Sequence, residues 1–395
     1  MNERVLTPRS IWFDAGSCSI GDFRAHVERK TSKSSVPIAS ELFGNIPIYD
    51  GSNIRTASVD PDSAKEVMAE WNEVLAAGPG IVVIRNTFED LSLIDDVTEV
   101  LNAIIEDERQ SGVGQGDHFA TAGSNSRLWN AHEKLCVASP ELFARYNANP
   151  IIDMVSQSWL GPLYQITTQV NVVRPGGQAQ QCHRDYHMGF QTAENLADYP
   201  ARVHNLSPYL TLQGAIAHCD MPLHSGPTKL LPYSQTYAPG YIAAQQPEFR
   251  TYFEEHCVQI ALSKGDTLFF NPAVFHAAGE NRSQDIERIA NLMQIGSGYG
   301  RSIEIVDRVR MCVALYPALL GLVEREALSD QELHCVIAAC AEGYPFPANL
   351  DLDSPLSGMA PESQQQLMLR AISERWGPAD FHAALADQQG RKRSH

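Results

Sequence analysis

Between residues 160 and 300 the chain carries four runs, YQITTQVNVVR, YLTLQGAIAHCDM, CVQIALSKGDTLFFN and ERIANLMQIGS, each dense in β-branched and aromatic residues and set apart by clusters of Gly, Pro, Asn and Asp. Such side chains pack well on a pleated surface, and the clusters between them supply the turns. This stretch is therefore limited to an antiparallel barrel or jelly roll.

On either side the period changes to that of a helix. Val67, Met68, Trp71, Val74 and Leu75 fall on one helical face, preceded by Asp and Ser caps and stopped by Gly78-Pro79-Gly80; Ile94, Val97, Leu101, Ile104 and Ile105 form a second such face. GIVVIRNTF between them reads as a buried strand. After about residue 310 the helical period returns: SDQELHCVIAAC opens with a capping box from Ser329 to Glu332, and PESQQQLMLRAISERWG and ADFHAALADQQ follow. Residues 1–60 show no sustained period and read as an extended arm. The expected organisation is a mainly β fold with helical flanks: the arm over 1–60, a domain over 61–310 made of the N-terminal helices and the barrel, and a C-terminal helical extension over 311–395.

Composition narrows the function classes. With 30 Lys and Arg against 47 Asp and Glu, the formal charge is −17, so a nucleic-acid or anionic-membrane surface has no global electrostatic support and a small-molecule partner is expected instead. Eight scattered cysteines without a C-x-x-C pair fit reduced thiols, and neither a signal peptide nor a bilayer-spanning run is present, which reads as a soluble, cytoplasmic protein. The apolar stripes of the C-terminal helices (Val336, Ile337, Leu367, Leu369, Ile372) suit plain core packing, a cover for the barrel mouth, or a homodimer interface.

The chemistry concentrates in QQCHRDYHMGF, residues 180–190. At strand period two, His183 and Asp185 point to one face, and Arg184 between them is expected to face outward. A facial triad for non-haem iron needs two imidazoles and one carboxylate on one side of the ion. The second imidazole is available at His276 in GDTLFFNPAVFHAAGENRSQDIER, and Arg288 opens the next β run, where its guanidinium can clamp a dicarboxylate. Arg282 competes for that role, but it stands in an Asn/Ser turn, and Arg288 is preferred. His187 shares the face of His183 if the strand continues, as a substrate contact or a structural histidine. The polar loop over 116–135 reads either as a lid, with His118, Arg127 and Trp129 reaching the substrate, or as a surface connection. His218 and His224 flank a proline turn and do not suggest a second metal.

GIVVIRNTF after a helix, QCHRDYH, SGPTKLLPYSQ and FFNPAVFHAAGENRSQDIERIANL, in this order over roughly residues 65–300, resemble the phytanoyl-CoA dioxygenase (PhyH-like) family of Fe(II)/2-oxoglutarate-dependent oxygenases. The resemblance implies a double-stranded β-helix (jelly roll, cupin-like) core with N-terminal and C-terminal α-helices. It implies His183, Asp185 and His276 as Fe(II) ligands, Arg288 on the far carboxylate of 2-oxoglutarate, and Gln181 close to that cosubstrate. It further implies O2 as oxidant, with 2-oxoglutarate decarboxylated to succinate and CO2 while an aliphatic C–H of a small molecule is hydroxylated, desaturated, cyclised or rearranged, for instance in natural-product biosynthesis. The aspartate at 185 favours these outcomes over halogenation, for which relatives carry a small residue. Where the family commonly shows Gly-Ser-His, this chain has Tyr233-Ser234-Gln235. The alternatives are a cupin-type isomerase or dioxygenase that uses no 2-oxoglutarate, and a non-catalytic ligand-binding barrel.

Overall fold

A computed structural model describes residues 11–112, 125–355 and 358–394 and divides into two compact units, one of Met1–Glu89, Gln115–Arg127 and Asn171–Leu292, the other of Asp90–Gly114, Leu128–Val170 and Met293–His395. The strands are β1 (Glu41–Phe43), β2 (Ile46–Asp50), β3 (Ile81–Arg85), β4 (Asn125–Leu128), β5 (Gln165–Val173), β6 (Thr211–Ala217), β7 (Lys229–Leu231), β8 (Val258–Gln259), β9 (Thr267–Phe270), β10 (Phe275–Ala277) and β11 (Arg288–Gly296). The residues of β4, β5 and β11 are shared between the units.

In the first unit one sheet runs β1-β2-β3-β9-β6 and continues into β11, and a second runs β10-β7-β8. The larger sheet is mixed: β2 and β3 are parallel, whereas β3 and β6 each pair antiparallel with β9. Register sets Ile81 and Gln213 on either side of Phe270, so the three share a face, and in the small sheet His276 stands opposite Leu230. The inward face of the large sheet (Ile46, Ile48, Ile81, Val83, Leu268, Phe270) meets Leu230, Ile260 and Val274 in one apolar cluster. Each such side chain, fully buried, contributes about 1.5–3 kcal/mol.

The back of the sheet is covered by the helix Pro61–Ala76. Asp60 caps it, accepting from the Ser63 amide, Pro61 occupies its first turn, and Val67, Trp71, Val74 and Leu75 are buried, with Trp71 edge-on to Tyr49 of β2. That matches the helical face expected from the sequence, Met68 being half-buried at its margin. The chain then enters β3 through Gly80, whose φ of +81° lies in the left-handed region glycine tolerates.

Two expectations are corrected. Residues 11–60 are not an extended arm: they form the helices Ile20–Val27 and Gly51–Ser58 and the strands β1 and β2. The β2 residues Ile46, Pro47, Ile48 and Tyr49 are buried in succession, so the strand is covered on both faces and shows no alternation to betray it. Nor is the chain mainly β, because helical residues far outnumber strand residues among those described.

The second unit is chiefly helical. Its helices include Leu91–Gln110, Ala131–Ala138, Pro140–Asn147, Pro150–Leu160, Arg308–Glu324, Asp330–Cys340, Gln364–Ser373 and Pro378–Arg391. The Ser329–Glu332 capping box forms as expected. Buried Arg308 ties these elements together, donating to the carbonyls of Ile166, Ala339 and Cys340. Val336, Ile337, Leu367 and Ile372 are buried within this unit, and Leu369 is half-buried. No helix among the described residues is long and apolar enough to cross a membrane.

Candidate metal centre

The segment around residue 183 is not a continuous strand. His183 and His276 exchange a pair of backbone hydrogen bonds of 3.1 Å as an isolated bridge, flanked by Gln180 N–H to Ala278 O (2.9 Å) and Asp185 N–H to Pro272 O (3.0 Å). These bonds hold the chain extended long enough for alternation to survive. His183 and Asp185 face His276, while Cys182 packs in a cluster with Phe275 and Ala277. Beyond Asp185 the alternation stops, because Tyr186 and His187 take positive φ (145° and 45°) and a 3₁₀ turn runs from His187 to Phe190. His187 is therefore not placed by a continuing strand. It is half-buried, with its ring 4.8 Å from that of Tyr186.

One ligand atom from each of His183, Asp185 and His276 can be chosen so that all three lie within 4.8 Å of one another. His183 Nε2 is 3.7 Å from Asp185 Oδ1 and His276 Nε2 is 3.6 Å from Asp185 Oδ2, beyond hydrogen-bonding distance, so the three groups converge without satisfying one another. The backbone sets both tautomers. His183 Nδ1 lies 2.8 Å from the Gln181 carbonyl and His276 Nδ1 2.9 Å from the Val274 carbonyl. A carbonyl oxygen only accepts, so each Nδ1 carries the hydrogen and each Nε2 presents a lone pair. Two imidazole lone pairs and a carboxylate suit a divalent iron with open positions.

The electrostatics agree with that donor set. Burial and the neighbouring His276 lower the His183 pKa, against the pull of Asp185. Burial alone would raise the Asp185 pKa, but His183, His276 and Gln213 together outweigh it and hold the carboxyl below its usual range. Gln213, a buried residue of β6, donates from Nε2 to Asp185 Oδ2 at 2.7 Å. Sequence reasoning did not single it out; the available signal was a polar residue in the apolar run TLQGAIA, on the inward face.

Arg184, expected to face outward, is 3% exposed. It lies on the side away from the three donors, where its guanidinium donates to the carbonyls of Ser234 and Tyr237 and rests 5.2 Å and 5.3 Å from the Tyr241 and Phe275 ring centroids. Residues 234–241 pack over it and leave it little exposed surface. Gly240 is required there: a Cβ at that position would stand 1.9 Å from Arg184 Cζ.

Arg288 begins β11, is buried, and donates from Nη1 to the carbonyls of Ser225 (3.0 Å) and Gly279 (3.3 Å); burial lowers its pKa to about 10, so it stays a cation at neutral pH. Arg282, the competing candidate, is exposed. Asn281 shapes the turn between them, donating to the carbonyls of Val173 and Ile286 and accepting from Ser283. Gln181 is exposed and meets the centre through its carbonyl oxygen on His183. Arg127 is half-buried, and its charge contributes to the lowering at His183. Trp129 belongs to the second unit, and His118 lies outside the described residues. Gln235 reaches away to donate to the Gly78 carbonyl.

Comparison with known proteins adds an independent finding. No curated protein sequence matches the chain. Among solved structures, three structures of two enzymes, SnoN and SnoK, are similar over 60% of this chain. The epimerase SnoN with Fe3+, alpha ketoglutarate and nogalamycin RO has 17% identity, TM-score 0.41 and 85% of its own chain covered. A second structure of that alpha ketoglutarate-dependent epimerase has 16%, 0.41 and 82%. The alpha ketoglutarate-dependent carbocyclase SnoK has 19%, 0.43 and 86%. The family profile of phytanoyl-CoA dioxygenase (PhyH) matches residues 78–290, more than half of the chain and a span that holds every donor of the centre. The chain thus belongs to the phytanoyl-CoA dioxygenase family and is an enzyme of the iron- and 2-oxoglutarate-dependent oxygenase type, working with Fe(II), 2-oxoglutarate and O2.

Proposed function

We propose that His183, Asp185 and His276 hold the iron(II), that Arg288 binds the far carboxylate of 2-oxoglutarate, and that the enzyme oxidises an aliphatic C–H bond of a small molecule, hydroxylation being the foremost outcome. The observation that carries this reading is the convergence of three donors whose lone pairs the backbone leaves free. When bound, iron, 2-oxoglutarate and O2 supply oxidative decarboxylation to succinate and CO2 together with an oxidising equivalent for the C–H bond.

The chain's own residues do the positioning. The Gln181 and Val274 carbonyls fix the two imidazoles, Gln213 fixes the carboxylate of Asp185, and the Ser225 and Gly279 carbonyls hold Arg288 so that its remaining N–H groups can meet a carboxylate. An aspartate at 185 completes the ligand set, which favours hydroxylation, desaturation, cyclisation or rearrangement over halogenation. The two sheets enclosing one apolar cluster support a double-stranded β-helix core. Eight free cysteines fit a reducing cytoplasmic setting.

The test is 2-oxoglutarate affinity in two variants. Arg288→Ala is expected to weaken binding about 10- to 100-fold, the worth of a charge-assisted hydrogen-bonded pair. Arg282→Ala should change it less than about twofold, as an exposed charge does. Equal effects would remove Arg288 from its role.

A further inference from the structure

Arg184 poses a problem that the metal centre does not solve. A guanidinium taken out of water needs a counter-charge, yet among the described residues no carboxylate pairs with it. Its hydrogen-bond partners are two neutral carbonyls, and its Nε is buried without an acceptor. The same side chain forms part of the wall of a cavity of about 320 Å³ within the first unit, together with His26, Arg29, His204, Gln235 and Asn271. No Asp or Glu lines this cavity, although the chain as a whole carries a formal charge of −17.

The cavity is built from held groups. The Thr236 hydroxyl donates to the Tyr233 carbonyl and accepts from Arg29 Nη2 (2.6 Å) and His26 Nδ1 (2.8 Å). The Arg29 guanidinium also lies 4.5 Å from the Tyr233 ring centroid, so this cation is fixed at the cavity rather than swinging in solvent. Gln235, 9% exposed, spends its amide N–H on the Gly78 carbonyl at 2.8 Å, and its Oε1 is buried with no donor. The lining therefore brings two arginine cations together without a carboxylate.

We propose that this cavity is a binding site, separate from the metal centre, for a small tetrahedral oxyanion, of which inorganic phosphate is the simplest. The anion is the counter-charge of Arg29 and Arg184.

The experiment is thermal unfolding of the full-length, metal-free chain in increasing inorganic phosphate, against sodium chloride of equal ionic strength. A ligand of the folded state raises the folded-to-unfolded ratio about 100-fold at a hundred times its Kd, so a saturable rise in Tm with phosphate that chloride does not reproduce is expected. Phosphate affinity should fall at least about tenfold in Arg29→Gln, an exposed position whose loss leaves the core intact, and should be retained in Arg288→Ala. Arg184→Gln should abolish the response; should that variant not fold, Arg29→Gln decides. No saturable rise in the wild type would overturn the proposal. So would a response kept in Arg29→Gln and lost in Arg288→Ala, which would put the anion at the metal centre.

Discussion

Asp185→Ala is expected to lower Fe(II) affinity by more than about a hundredfold, and Gln213→Leu by about 10- to 100-fold, the range found when the partner that orients a metal-binding side chain is removed. The reasoning is geometric. Asp185 is the one carboxylate among the converging donors, and Gln213 Nε2 at 2.7 Å is its side-chain partner on the sheet face. Without the carboxylate two neutral imidazoles remain, a set that neither balances the charge of the ion nor fixes it from a third side. Competition with a calibrated Fe(II) chelator under anaerobic conditions measures both affinities. Gln213→Glu is the informative companion, because a second carboxylate there repels Asp185 while keeping its size. Equal affinity in wild type and Asp185→Ala would show that the carboxylate is no ligand.

Acid is expected to destabilise the second unit through His132. That imidazole is fully buried, with Nε2 2.8 Å from the Ala339 carbonyl and its ring 4.8 Å from Phe143, and burial, aided by the charge of Arg308, lowers its pKa from 6.5 to about 3. A histidine with a depressed folded-state pKa stays neutral when folded while the unfolded chain takes up a proton. The stability it contributes is fully present above pH 6.5 and is lost as pH falls towards 3. Each pH unit in that window costs about 1.4 kcal/mol, so roughly 2 kcal/mol should go between pH 6.5 and pH 5. His132→Gln, which keeps a donor for Ala339 without the titration, should show a correspondingly flatter fall. Urea unfolding of both proteins at pH 7.5 and pH 5 checks this, and parallel pH dependence in the two would assign the acid sensitivity elsewhere.

The parts of this molecule that a sequence displays are those governed by one local rule. The helix Pro61–Ala76 was legible because it has one buried stripe and both of its stop signals. β2 was not, since four consecutive buried residues carry no alternation, and neither were the eight-residue helices Ile20–Val27 and Gly51–Ser58, which are too short to display a period. The pair His183 and Asp185 was legible as a same-face pair, and the backbone bridge to His276 keeps that geometry without a true strand. His187 shows the limit of the rule: two residues in positive φ end the alternation, and nothing in YHMGF announces them. Arg184 looked like a solvent-facing spacer because charge usually means exposure, whereas here carbonyls and aromatic faces from residues 234–241 and Phe275 enclose it. Gln213 and Asn281 act through contacts to residues far away in the chain, which no short window contains.

The account rests on iron and 2-oxoglutarate meeting at one centre, and the visible absorption of the anaerobic complex reports that directly. Addition of Fe(II) and 2-oxoglutarate to the wild-type protein should produce a weak charge-transfer band from the chelated metal, and the band should be absent in His276→Ala. No band in the wild type, or an unchanged band in the variant, would contradict the assignment of His183, Asp185 and His276 as the iron site.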